Sequence, residues 1–139
     1  MNLPNVVFSR WIQWANRTQL DRIDKPGVYI LAHFTTLPAG NGDPQAQEVI
    51  YVGETCDQSL RVRWNQFHRC AFEGKDGHSG GKTYWRVFDG KGAEKPYVAA
   101  FPVAELNTVL CPLFTRYVER KLILEYALKW NAAPICNTK

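Results

Sequence analysis

Two apolar runs, Gly27-Val28-Tyr29-Ile30-Leu31 and Val49-Ile50-Tyr51-Val52-Gly53, set the tightest limit on how this chain can fold. Both are rich in β-branched and aromatic residues and too short for buried helices, so they read as strands, roughly 27–34 and 48–53. Between them Thr35 to Gln47 contains Pro38, Gly40, Asn41, Gly42 and Pro44, which makes a long surface excursion. Each run places a tyrosine in the same way. Paired in one sheet, the runs bring the phenols of Tyr29 and Tyr51 close together.

The remaining segments fit around this pair. Asn5 to Asp24 spaces Phe8, Trp11, Ile12 and Trp14 partly like one helical face, and predicts an N-terminal helix. Ser59 to Phe72 predicts a helix whose apolar stripe is Leu60, Trp64, Phe67 and Ala71. Gly74 to Lys82 reads as a flexible loop, Thr83 to Phe88 as a third strand, Asp89 to Gly92 as a turn and Pro96 to Phe101 as a fourth strand. A short helix near Ala104 to Leu110 precedes Pro112, which suits the first turn of a long helix over 112–130 ended by Ala133-Pro134. The expected fold class is α+β, with a small central antiparallel or mixed sheet of three or four strands flanked by helices. At 139 residues this is a single domain over 1–139.

Composition narrows the function classes. No apolar run approaches the ~18 residues of a membrane span, and the start of the chain lacks a secretory leader pattern, so a cytoplasmic protein without a membrane partner is expected. Cys56, Cys70, Cys111 and Cys136 are scattered without metal-ligand spacing, which argues against structural zinc and against a disulfide framework. Seventeen basic against thirteen acidic side chains give a net charge of +4, which suits a polyanionic partner without requiring one.

Glu125 is the sharpest anomaly. At ~100° per residue on the 112–130 helix it falls among Phe114, Val118, Leu122 and Leu128, where a carboxylate needs a metal, a proton or a partner. Lys121 and Lys129, at i−4 and i+4, offer the alternative of a surface ion pair. Glu119 lies on the opposite, polar side of that wheel. Arg61, Arg63 and Arg69 make the 59–72 helix basic, with Arg61 and Arg63 pointing in different directions. His68 beside aromatics reads as structural, and His78 in a Gly-rich loop reads as exposed.

Taken together, these elements resemble the GIY-YIG nuclease family, from Gly27-Val28-Tyr29 and Tyr51-Val52-Gly53 to the end of the chain. Leu60 is followed three residues later by Arg63, Leu124-Glu125-Tyr126-Ala127-Leu128 has the family's late L-E-x-x-L form, and Asn137 follows Glu125 by twelve residues. Glu54 stands where relatives often carry a basic residue. Phe67 stands where many carry His or Tyr, with His68 one place on as an auxiliary group. The resemblance implies a metal-dependent endonuclease that hydrolyses DNA phosphodiester bonds. In that role Glu125 holds Mg²⁺ or Mn²⁺, Arg63 stabilises the phosphate, Tyr29 or Tyr51 activates water, and Asn137 orients the carboxylate or the phosphate. DNA would be gripped by Arg61, Arg69, Lys75, Lys82, Arg86 and the two loops, with help from a protein partner or a homodimer. The alternative is a catalytically silent nucleic-acid-binding module of the same fold.

Overall fold

The computed structural model describes residues 2–89, 92 and 95–138. Its elements run β1 (Ile12–Gln13), a 3-10 helix (Trp14–Gln19), β2 (Gly27–His33), β3 (Val49–Thr55), α1 (Leu60–Glu73), α2 (Ser79–Phe88), β4 (Pro96–Pro102) and α3 (Leu110–Trp130). The fold is α+β, with one open antiparallel sheet in the order β1-β4-β2-β3. Val28, Ile30 and Ala32 of β2 face a core shared with α3, whereas Tyr29 and Leu31 face a second core shared with α1 and α2. Both faces of the sheet are therefore covered, which is why its strands read as continuous apolar runs. Among the described residues no helix is long and apolar enough to cross a membrane.

Local chemistry sets the helix ends. Ser59 Oγ accepts from the Val62 N–H at 3.1 Å to start α1, and Gly74, at φ 70°, ends it. No separate helix forms over 104–109. Instead the Asn107 side chain accepts from the Val109 and Leu110 N–H groups at 2.9 and 2.8 Å and starts α3 two residues before Pro112.

Two other expectations are corrected. The aromatic N-terminus is extended around Ile12, and of the expected helix there is a short 3-10 helix over Trp14–Gln19: Phe8 and Trp11 enter the α3-side core, while Ile12 and Trp14 enter the other. Side chains that serve both cores across a sheet edge imitate helical spacing in a sequence. The segment Thr83 to Phe88 is the second half of α2, and the loop before it ends at His78. Its β-formers lose to tertiary packing: a Cβ on Gly81 would sit 2.7 Å from Cys70 Cβ, so this glycine lets α2 lie directly against α1. The turn expected at Asp89 to Gly92 lies partly outside the described residues.

The 34–48 connection is held against the end of α3, because Tyr126 Oη donates to the Gln47 carbonyl and Trp130 Nε1 to the Gln45 carbonyl, both at 2.8 Å. Strand β2 meets β4 just as closely. A Cβ on Gly27 would lie 2.3 Å from the Phe101 carbonyl oxygen, inside the strand ladder where neither backbone can retreat. Gly27→Ala should therefore destabilise the fold by at least the ~1–3 kcal/mol typical of overpacking, measured as a lower urea midpoint at unchanged slope.

Candidate active site at the open edge of the sheet

Strand β3 is an edge strand, and the site forms where the two covered faces meet around it. Tyr29 pairs with Gly53 and Leu31 with Tyr51, so the two tyrosines are diagonal neighbours on one face with ring centroids 6.0 Å apart. A Cβ on Gly53 would come within 2.6 Å of both rings, and one on Gly80 within 2.4 Å of Tyr51. Two glycines, one from the sheet and one from α2, thus clear the slot that Tyr51 fills.

His78 closes this slot. It is buried, and its Nε2 lies 2.8 Å from Tyr29 Oη while its Nδ1 accepts from the Gly81 N–H at 3.1 Å. An imidazole whose Nδ1 lone pair is occupied carries its neutral-state proton on Nε2. The histidine therefore donates to Tyr29, and the phenol oxygen accepts. Burial, helped by the nearby Arg63 charge, pushes the His78 pKa down to about 3. The exposed position expected for His78 is corrected: it is the cap of α2 and a wall of the site.

Arg63 lies beside this pair. Its Nη1 donates to Gln66 Oε1 at 2.8 Å and to the Gly77 carbonyl at 3.2 Å, next to His78. Its charge acts on both tyrosines in the direction that favours phenolate, against a larger opposing effect of burial that leaves both phenols raised. Arg61 is exposed on another side of α1, as the two-residue spacing requires.

The carboxylate beside Tyr51 is Glu119, not Glu125. A polar cavity of about 110 Å³ is lined by Tyr51, Ser79, Glu119, Arg120, Asn137 and their neighbours. Burial and the charge of Glu54 push the Glu119 pKa up to about 7. Glu54 accepts from Thr115 Oγ1 at 2.9 Å and shares a second polar cavity with Arg63 and Arg116. Glu125 is six residues further along α3, about 9 Å along the axis and about 120° around it. There it pairs with Lys121 at 3.9 Å, its side chain one-third exposed (34%). The wheel was misread because α3 is apolar on two sides, and Glu125 sits at the margin of the buried one. Val118-Glu119-Arg120-Lys121-Leu122 also has an apolar residue before the glutamate and another three after it, and both of these are buried.

Two other assignments change. Asn137 reaches the cavity, and its amide is held against β3 by one bond at each end: Oδ1 accepts from the Val52 N–H at 2.8 Å and Nδ2 donates to the Val52 carbonyl at 2.9 Å. It clamps the chain end to the sheet edge instead of orienting a carboxylate. His68 accepts from Trp14 Nε1 at 3.0 Å and braces the N-terminal segment, away from the tyrosines. Among the expected DNA contacts, Lys75, Lys82 and Arg86 gather with Trp85 around a surface groove of about 330 Å³, where Lys75 pairs with Glu73 and Lys82 with Asp76. Arg69 is exposed on α1. Arg116 and Arg120, beside Glu119, were not anticipated.

No family model, no curated protein and no solved structure matches this chain, so the site is read from its own residues.

The buried imidazole gives a test. Between pH 6.5 and about 3 the unfolded chain takes up a proton at His78 that the folded chain refuses, so stability should fall as pH falls through that window. His78→Gln removes this contribution. Its unfolding free energy should show a flatter pH dependence there than the native protein, measured by urea titration at stepped pH.

Proposed function

We propose that the chain is a GIY-YIG-type endonuclease that hydrolyses phosphodiester bonds in DNA with the help of a divalent cation. The observation that carries this reading is the meeting of Glu119, Tyr51, the Tyr29–His78 pair and Arg63 at the β3 edge. Glu119 takes the role that the sequence pattern gave to Glu125. Among the described residues no cluster of three or more His, Cys, Asp or Glu has metal-holding geometry. One or two carboxylates with water and substrate phosphate are sufficient for Mg²⁺ or Mn²⁺, and Glu119 with Glu54 fits that donor set. The raised pKa of Glu119 supports the assignment, since a cation there offsets both its burial and the charge of Glu54. Bound, the cation would polarise the phosphate and acidify a water.

The chain's own residues supply the rest. Tyr51 is the phenol that borders the cavity and positions the attacking water; with the charge of Arg63 and of a bound cation favouring phenolate, it would first pass its own hydroxyl proton to solvent and then take up the proton of that water. Tyr29 is wholly enclosed, and the Nε2–H of His78 fixes its oxygen as an acceptor. Its own hydroxyl hydrogen is therefore free to turn toward the site. Arg63, oriented by Gln66 and Gly77, stabilises charge on the phosphate. Arg116 and Arg120 extend the positive field along α3.

Plasmid nicking with and without Mg²⁺ tests this reading. Cleavage should require the cation, fall by about 10²–10⁴-fold in Tyr51→Phe, and disappear in Glu119→Gln while Glu125→Gln stays near the native rate. Binding to DNA with no cleavage under any cation would instead identify a silent binding module. Loss of cleavage in Glu125→Gln with Glu119→Gln active would return the metal to the other carboxylate.

A further inference from the structure

The outer face of α3 is apolar and uncovered. Leu113, Tyr117, Leu124 and Leu128 are 63%, 60%, 59% and 74% exposed. At ~100° per residue the four fall within about 60° of one another, on the side away from Leu122 and Tyr126, which pack in the core against the sheet. A stripe this regular on a helix already anchored by its other side is what an interface requires.

We propose that a second copy of this chain covers the stripe, with the two α3 helices antiparallel about a twofold axis near their midpoint. The positions are self-complementary in that register. Leu113 lies level with Leu128 of the second copy, and Tyr117 level with its Leu124, so each apolar residue meets another. The antiparallel arrangement also sets the two helix dipoles against each other. At the exposures given, the four side chains offer roughly 400 Å² per copy, about 800 Å² for the pair, close to the ~1,000 Å² at which specific interfaces begin. Flanking residues add to this.

The two rims of the stripe differ. Lys121 and Glu125, paired at 3.9 Å, lie on one rim and make it close to neutral. Arg116 and Arg120 lie on the other, toward Glu119. A twofold axis perpendicular to the helices keeps like rims on the same side. The dimer therefore turns both Glu119 cavities to one face, joined by four guanidinium groups. Such a face fits one polyanion contacting both sites, as duplex nucleic acid does. The dimer itself does not depend on the proposed nuclease reading, and its test contains no nucleic acid.

The test is sedimentation equilibrium of the full chain from low micromolar to millimolar concentration. A monomer–dimer equilibrium is expected that weakens at least about tenfold in Leu124→Glu and in Leu113→Glu, with the circular dichroism spectrum unchanged. Added salt should strengthen association by screening the arginine rim. Register is read by disulfide formation in a Cys56→Ser background. Tyr117→Cys with Leu124→Cys should cross-link two chains efficiently, since the paired positions are level, and Leu124→Cys alone should not, since its mates sit about 10 Å apart along the axis. A native protein monomeric throughout, a folded Leu124→Glu variant that dimerises normally, or efficient cross-linking through Leu124→Cys alone would overturn the proposal.

Discussion

The buried hydrogen bond between Tyr29 and His78 joins parts of the molecule that have little else in common. It crosses from the central strand to the start of α2, forty-nine positions later in the chain. The same imidazole caps α2 through Nδ1, the carbonyl of the same residue accepts from Cys70 Sγ on α1 at 3.2 Å, and Arg63 holds the preceding carbonyl. One side chain thus fixes the sheet, both helices on that face and the arginine relative to one another. An unmade bond here would strand a phenol and an imidazole in a dry core at about 1–3 kcal/mol each, so the arrangement is cooperative: all of it forms or none does.

That bracing matters because the site lies at an open edge. An edge strand exposes unpaired backbone groups and invites another chain. Here the chain end meets the problem, with the Cys136 N–H donating to Ile50 at 2.8 Å and the Asn137 amide satisfying both backbone groups of Val52. The edge is open between Tyr51 and α3, where the Glu119 cavity lies. Through that gap a carboxylate from one side of the sheet and the Tyr51 phenol from the other share a cavity. A central strand would keep the two faces apart.

Strands β2 to β4, helix α1 and most of α3 were legible because each is specified locally. Short β-branched runs, the Ser59 cap and the stripe from Leu60 to Ala71 need no distant partner to be recognised. The failures share a different cause. Thr83 to Phe88 carries strand-forming residues, and only the packing of Gly80 and Gly81 against Tyr51 and Cys70 makes a helix the better solution. His78 is an ordinary loop histidine until Tyr29 is placed opposite it. Asn137 was found at its expected distance from Glu125, yet its amide serves the backbone of Val52. The tyrosines and Arg63 sit on locally specified elements and come together in the structure, whereas Glu125 stands apart from them.

The ambiguity between Glu119 and Glu125 and the exposed stripe have one origin. A helix that packs on one side has a single apolar arc, and a charge inside that arc is an anomaly that a wheel can find. Helix α3 has two arcs: Phe114, Val118 and Leu122 against the sheet, and Leu113, Tyr117, Leu124 and Leu128 facing outward. On such a helix Glu125 sits at the margin of the inner arc and Glu119 lies between the buried Tyr126 and Ile123, and periodicity alone cannot say which of the two borders the tyrosines. The sheet decides, because β3 brings Tyr51 to Glu119. The same doubling means that burying only the inner arc leaves the outer leucines of the helix in water. A second copy placed over the outer arc removes that cost and leaves the Glu119 cavity open on one side, so the surface that completes the helix is also the one that brings two sites to the same face.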